Sequence, residues 1–430
     1  MFKLKFSKTM KDVQWSFFSL IIASISHLLL RIVLGKEFGP SGLGLYTLVF
    51  TIYMFGMQFA GFGIGAALTR YIAQFHDDLP KITEYVTTGI LGSMVSGTLM
   101  GILLYLISGI VSIYFFHNPD MIELLKITAL CFPFIAMQKA VVGTLNGLRR
   151  MKWYAILEVI QNVSVVVASL ILVIVFDMGV RGAVIGFVVP TMVVGVLSLT
   201  LTRGFFSIRQ GILRTTLGEI SWFGFYVVLA NSIGLINTQI SSLMIGHFMS
   251  ETDVGYYAVA VLFMNGITLL PQAVQRVTNS TIAGYYGKKD YGKIRSLIKG
   301  TMFKISLITI FLVSFLAIFG KVLIEAIFTK DFLPSYIPLL ILLIGYSFYA
   351  AYMSVGGCLS SIGKVKIIFK ISLLCAILNT LFNIILIPRF GLIGAASATS
   401  VSLIFTTFIN IYYIKKYTSN CKEGLIVDRV

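Results

Sequence analysis

Residues 302–320, MFKISLITIFLVSFLAIFG, hold one charged side chain in nineteen positions. Coiled as an α-helix at about 1.5 Å per residue, they match the roughly 30 Å hydrocarbon core of a bilayer. Similar apolar runs occupy 13–35, 45–68, 90–115, 121–146, 154–176, 182–202, 220–246, 254–283, 336–360, 367–387 and 394–414. The sequence therefore predicts an all-α integral membrane protein of about twelve transmembrane helices. A transmembrane β-barrel would require alternating lipid-facing and lumen-facing residues, which these runs lack. Of the 430 residues 57% are hydrophobic and 12% charged, with a mean hydropathy of +0.92. No water-soluble core hides that much apolar surface.

Basic residues set the expected orientation. The net charge is +17, and the Lys and Arg are unevenly placed. With a cytoplasmic N-terminus, the inner segments hold 24 of them, and the outer loops hold four, Lys36, Arg181, Lys330 and Arg389. That asymmetry follows the positive-inside rule and puts both termini in the cytoplasm. The run GKKDYGKIRSLIK at 287–299 then serves orientation and attraction to anionic lipid rather than nucleic acid. The basic start MFKLKFSKTMK leads into a long apolar stretch without a small-residue cleavage site and reads as a retained first helix. Cys131, Cys358, Cys375 and Cys421 are widely spaced and suggest neither a disulfide framework nor a metal site. The sequons at Asn162 and Asn279 fall inside predicted spans, beyond the reach of glycosylation.

The chain also matches itself at one nearly constant offset. Gly35, Gly44 and Tyr46 correspond to Gly246, Gly255 and Tyr257. DLPKI at 78–82 recurs as DYGKI at 290–294, and GVRGA at 179–183 as GLIGA at 391–395. An even number of helices per half gives the halves one orientation and predicts two parallel six-helix lobes around a central cavity. The expected organisation is a basic arm at 1–12, an N-lobe at 13–202, a linker at 203–219, a C-lobe at 220–414 and a tail at 415–430.

These features, together with LGKEFGPSGLGLYTLVFTIYMFGMQFAGFGIGAALTRYIAQF at 34–75, resemble the polysaccharide transporter family, the O-antigen-type oligosaccharide flippases. The superfamily also holds multidrug and toxin extrusion antiporters and lipid II flippases. The resemblance implies a MATE-like fold. It also implies transfer of a polyprenyl phosphate- or pyrophosphate-linked glycan from the inner to the outer leaflet of the cell membrane. Glycosyltransferases or a polymerase of the same pathway would be partners. Stripping water from sugar hydroxyls costs about 1–3 kcal/mol or more each, so such a substrate needs a protein to cross.

Several polar residues inside spans are candidates for the substrate path. Ser16, Ser24, His27 and Arg31 share one stripe of the first span. They form either a cationic wall for a phosphate or, at Arg31, a side chain that snorkels to the outer surface. The offset maps His27 and Arg31 onto Thr238 and Ser242 of the seventh span, whose stripe Asn231 continues. The eighth span carries Asn265, Gln272, Arg276 and Asn279 on one face, interrupted by Pro271, a pattern suited to a water-filled cavity. Lys139 on the fourth span lies near Gly143 and Asn146, and a structural pair with Glu158 is the plainer expectation. Lipid II flippases have cavity arginines on the first and eighth helices, and Arg31 and Arg276 look similar in placement.

Drug antiporters of the superfamily usually place a carboxylate deep in the first half, whereas this first span is cationic. For a coupling ion, Na⁺ or H⁺, the candidates are Asn379, Asn383, Thr399 and Glu158. The first three resemble in spacing a cation site between the seventh, eleventh and twelfth helices of sodium-linked flippases, without its aspartate. Helix-to-helix hydrogen bonding is the alternative use of those amides. Tyr346, Tyr349 and Tyr352 suit either sugar stacking or helix packing. No phosphate-binding Gly-Lys loop, catalytic triad or catalytic carboxylate pair appears, which argues against an ATP-driven pump or an enzyme. The competing readings are a multidrug antiporter and a membrane-embedded glycan polymerase or acyltransferase; the short outer loops disfavour the polymerase.

Overall fold

The computed structural model describes residues 8–207 and 213–419. The start of the basic arm, Arg209, Cys421 and the tail from residue 420 lie outside the described residues. Among those described there are helices and no strands, as a bilayer without backbone partners requires. Of the described helices, nine are long and apolar enough to cross a membrane, or ten if a bent pair counts as one crossing.

The chain divides into two compact units, Met1–Ser232 and Ile233–Val430. The first contains α1 (Lys8–Gly61), α2 (Ile64–Gln74), α3 (Leu79–Gly109), α4 (Met121–Ala129), α5 (Phe132–Gly147), α6 (Met151–Leu170), α7 (Gly179–Ser198) and the beginning of α8 (Arg214–Phe248). The second contains the end of α8, then α9 (Glu251–Gly287), α10 (Tyr291–Ile327), α11 (Tyr336–Met353), the short α12 (Cys358–Ser361) and α13 (Val365–Ser419). The division falls within α8 rather than in the predicted linker.

Two expected outer loops are kinks instead. The predicted first and second spans join as α1, which turns at Gly39 with φ 63° and ψ −165°. That backbone region is open essentially to glycine, and Pro40 restarts the helix with a preset φ. Likewise the predicted last two spans join as α13, which turns at Gly391 with φ 56°. The predicted fourth span is α4 and α5, bent by 45°. Pro133 at the first turn of α5 has no N–H to continue the helical ladder. Pro271, by contrast, does not break α9, which runs through it.

Each unit has its own apolar core near the ends of its helices. In the first, Leu68, Ile72, Ile82, Val86 and Ile90 cluster with Val141 and Leu145. In the second, Ile282, Ile294, Ile298, Leu359 and Ile414 do so. Buried hydroxyls return to their own helices: Thr128 donates to the Leu124 carbonyl at 2.8 Å, and Thr407 to Leu403 at 2.9 Å. This removes the cost of an unpaired polar group in apolar surroundings.

The repeated motifs take matching local roles. Asp78 caps α3 by accepting the Lys81 backbone N–H at 3.1 Å, and Asp290 caps α10 by accepting that of Lys293 at 3.0 Å. Gly179 and Gly391, which open the repeated GVRGA and GLIGA, have φ of 59° and 56°.

Candidate functional site

The first unit gathers its polar side chains where both halves of α1 meet α6 and α7. The His27 ring stands 5.8 Å from that of Phe50, and its imidazole lies beside the Asn162 side chain of α6. Asn162 also donates to the Glu158 backbone carbonyl at 2.7 Å. One turn beyond His27, half-buried Arg31 lies beside Tyr46. The Tyr46 ring stacks on Phe50 at 5.9 Å, and Phe50 packs against Tyr53 at 5.6 Å. Tyr53 in turn lies near Thr191 of α7 and Glu158, and Gln161 donates to the Thr191 hydroxyl at 2.8 Å. The result is a continuous aromatic and amide network holding a guanidinium, an imidazole and a carboxylate.

Of the residues expected in this half, the network includes His27, Arg31 and Glu158. Lys139 is half-buried on α5, and among the described residues no ion pair joins it to Glu158, contrary to the structural pair expected between them. A helical repeat that brings two residues to similar depth does not bring their side chains into register. Asn231 is exposed on α8, its amide donating to Gln58 at 3.4 Å. Sequence reasoning misses Tyr46, Tyr53, Gln161, Asn162 and Thr191 as site residues. Adjacent Gln161 and Asn162 in an otherwise apolar run are the available signal.

A cleft of about 570 Å³ in this unit is lined by Leu45, Asp120 and Lys126 among others. Beside it Arg181 pairs with Glu123 at 2.9 Å.

In the second unit the polar face of α9 is partly kept. Asn265, Gln272 and Arg276 are exposed in line, and the Gln272 amide donates to Thr268 at 3.3 Å. Among the described residues Arg276 has no carboxylate partner. Asn279, on the same stripe, is covered instead: its side chain packs so closely on Gly357 that no Cβ would fit there. Thr238 is exposed and turns its hydroxyl back to the Leu235 carbonyl at 3.1 Å.

The amides of α13 form a second, buried cluster with α8 and α9. Asn379 donates to the Asn237 carbonyl at 3.3 Å, and Asn237 to that of Ser372 at 3.2 Å. Asn383 donates to the Asn379 side chain at 2.9 Å. Thr399 shares hydrogen bonds of 2.9 Å with both Ser241 and Tyr257. The oxygens here are neutral, and buried Asn383 Oδ1 has no protein donor. Tyr346, Tyr349 and Tyr352 form a ladder along α11 with ring separations of 6.2 and 6.0 Å.

A sequence model described as polysaccharide biosynthesis protein matches residues 9–279, more than half of the chain. The chain belongs to the polysaccharide biosynthesis protein family. A second family model, MatE, matches residues 227–385. The putative O-antigen transporter of Shigella flexneri is 21% identical over 416 residues, covering 93% of this chain and 96% of the relative. The lipid III flippase of Escherichia coli is 28% identical over 216 residues, 48% of each chain. Among solved structures, the lipid II flippase MurJ in an inward closed conformation superposes with a TM-score of 0.78 at 18% identity, covering 94% of this chain and 87% of that one. These matches agree with the expected multi-pass, all-helical fold of the superfamily.

Proposed function

We propose that this family member is a flippase that carries a polyprenyl phosphate- or pyrophosphate-linked oligosaccharide from the inner to the outer leaflet by alternating access, for polysaccharide or glycan biosynthesis. Its full-length similarity to an O-antigen transporter supports the substrate class. The observation that carries the reading is the Arg31 guanidinium, half-buried one turn from His27 on the same helix stripe and beside Tyr46. A guanidinium in apolar surroundings costs about 2.5–3.5 kcal/mol even on lenient scales and is relieved by an anion such as a head-group phosphate. Arg276, exposed and without a carboxylate, is assigned to the same anion at another stage of transport. Lys139 and Asn231 of the first unit, and Thr238 and Gln272 of the second, are assigned to the sugars.

In this reading α1 and α13 each cross the bilayer twice, bringing the crossings to twelve, with both termini cytoplasmic. Single-cysteine labelling near Lys289 from the inside only is the expected result. Outside labelling there would overturn the topology. Enzymes that assemble or polymerise the glycan are the expected partners.

For the driving ion, the neutral oxygens of Asn379, Asn383 and Thr399 suit Na⁺, which takes oxygen ligands, though a carboxylate would strengthen the site. Glu158 is the protonatable alternative. Transport that follows a sodium gradient and is lost in Asn383→Leu supports the first; transport that follows pH and is lost in Glu158→Gln supports the second.

The second reading is a multidrug antiporter, favoured by the MatE match in the second half. Complementation of a flippase-deficient strain decides between them. Restored surface glycan, lost in Arg31→Ala and Arg276→Ala at normal membrane levels, is expected. Cationic dye efflux without complementation would favour the antiporter.

A further inference from the structure

One face of α10 changes character along its length. Lys293, Ser296, Gly300, Thr301 and Lys304 recur at spacings that place them on one stripe of the helix. With Tyr285 of α9 they line a groove of about 320 Å³. Lys293 is bound to Asp290 at 2.8 Å, but Lys304 has no carboxylate partner among the described residues. At Gly300 the groove has room, since nothing lies within 4 Å of a Cβ built there. The neighbouring charge has one sign: from Lys288 to Lys304 the chain carries six Lys and Arg against the single carboxylate of Asp290.

Beyond Lys304 the same stripe continues as Leu307, Phe311, Phe315, Ile318 and Val322, all exposed. At about 1.5 Å per residue this apolar stretch is roughly 22 Å long, more than the half of a roughly 30 Å hydrocarbon core that one leaflet occupies. A single helix face thus presents a cationic, hydroxyl-bearing groove followed by an apolar track.

The internal repeat has no such face in the first unit. At the offset that carries Asp78 onto Asp290, Ser296, Gly300 and Lys304 correspond to Glu84, Thr88 and Gly92 of α3. Glu84 accepts the Thr216 hydroxyl, Thr88 Oγ1 accepts the Leu213 backbone N–H at 3.4 Å, and a Cβ at Gly92 would meet Leu217 at 3.2 Å. The start of α8 packs on this face, which has a carboxylate where α10 has a hydroxyl and no side chain where α10 has Lys304.

We propose that the α10 groove is a binding site for an acidic phospholipid. Its phosphate is held by Lys304 with the Ser296 and Thr301 hydroxyls, and an acyl chain lies along Leu307, Phe311 and Phe315. A soluble anion would satisfy the charge and leave the apolar track unused, whereas a phospholipid matches both ends. In the orientation proposed above this end of α10 meets the cytoplasmic leaflet, whose acidic lipids attract basic segments. None of the side chains assigned to the transported glycan takes part.

The test replaces Phe311 with p-benzoylphenylalanine in the full chain, in nanodiscs of equal phosphatidylglycerol and phosphatidylcholine. The control carries the same group at Leu99, the counterpart of Phe311 in the repeat and likewise exposed. After irradiation the attached lipid is identified by mass spectrometry. The ratio of captured phosphatidylglycerol to phosphatidylcholine at Phe311 is expected to exceed that at Leu99 by about fivefold, the effect of one lysine near a membrane surface. Lys304→Gln should lower the ratio to that at Leu99, and Lys321→Gln, farther along α10, should leave it unchanged. Equal ratios at the two positions, or a peptide of this chain attached at Phe311 in place of lipid, would overturn the proposal. Displacement of phosphatidylglycerol by a trace of undecaprenyl phosphate would also overturn it and assign the groove to the glycan's carrier.

Discussion

In the first unit Tyr46 lies beside Arg31 and stacks on Phe50, which in turn meets His27. In the second its counterpart in the repeat, Tyr257, shares a hydrogen bond with Thr399 within a cluster of amides and hydroxyls. The positions equivalent to His27 and Arg31 are Thr238 and Ser242. Backbone devices survived the duplication, since Asp78 and Asp290 cap in the same way and Gly179 and Gly391 turn in the same way. A cap or a turn constrains the main chain whatever the lipid-buried side chains do. The polar interior is free to diverge once its backbone frame is secure, and here the positions that hold an imidazole and a guanidinium in one unit hold hydroxyls in the other.

The comparison breaks most sharply at Arg31. Arg31→Ala should reduce glycan transport by roughly a hundredfold, the scale of removing a desolvated charge contact. The matched Ser242→Ala should leave it within about threefold, since it removes one hydrogen bond. Flipping assays on variants at equal membrane levels measure both. Equal losses would mean that the two units share the work and that the charge difference is incidental.

A smaller effect is expected on α9. Arg276→Lys keeps the charge without the bidentate fork and should transport about tenfold more slowly, with Arg276→Ala slower still.

The buried amides test the neutral side of the comparison through stability. Asn379→Leu removes the donor to the Asn237 carbonyl and the acceptor of the Asn383 amide, and should cost about 1–3 kcal/mol, read as a lower unfolding temperature in detergent. The turns should both respond: Gly179→Ala and Gly391→Ala each put a Cβ at a positive φ, costing about 1–3 kcal/mol. A large difference between those two would show that the repeated glycines no longer play one role.

The smallest effect concerns the caps. Asp78→Ala and Asp290→Ala should each speed amide exchange in the first turn of its helix while sparing transport. The Lys293 side chain, and then its backbone N–H, hold the Asp290 carboxyl below the usual carboxylate range. A depressed carboxyl stabilises above its unfolded pKa and stops doing so as pH falls through its folded one. The α10 cap should therefore outlast the ordinary carboxylate range on acidification, as exchange measured against pH would record.

The sequence alone was enough for the membrane-spanning helical class, because about 20 apolar residues in succession have few other stable places to be. It also exposed the internal repeat, whose caps and turns rest on local residue chemistry that needs no tertiary context. Periodicity identified His27, Arg31 and the Gln272 and Arg276 face, because one helix determines which of its residues share a stripe. Tertiary structure alone decided which stripes meet. It joined His27 to Asn162 and Tyr53 to Thr191, left Lys139 and Glu158 apart, turned Asn279 toward Gly357, and converted two expected loops into kinks at Gly39 and Gly391. Contacts between helices depend on rotation and depth about each axis, and hydrophobic patterning constrains these weakly where lipid and protein interior are equally apolar.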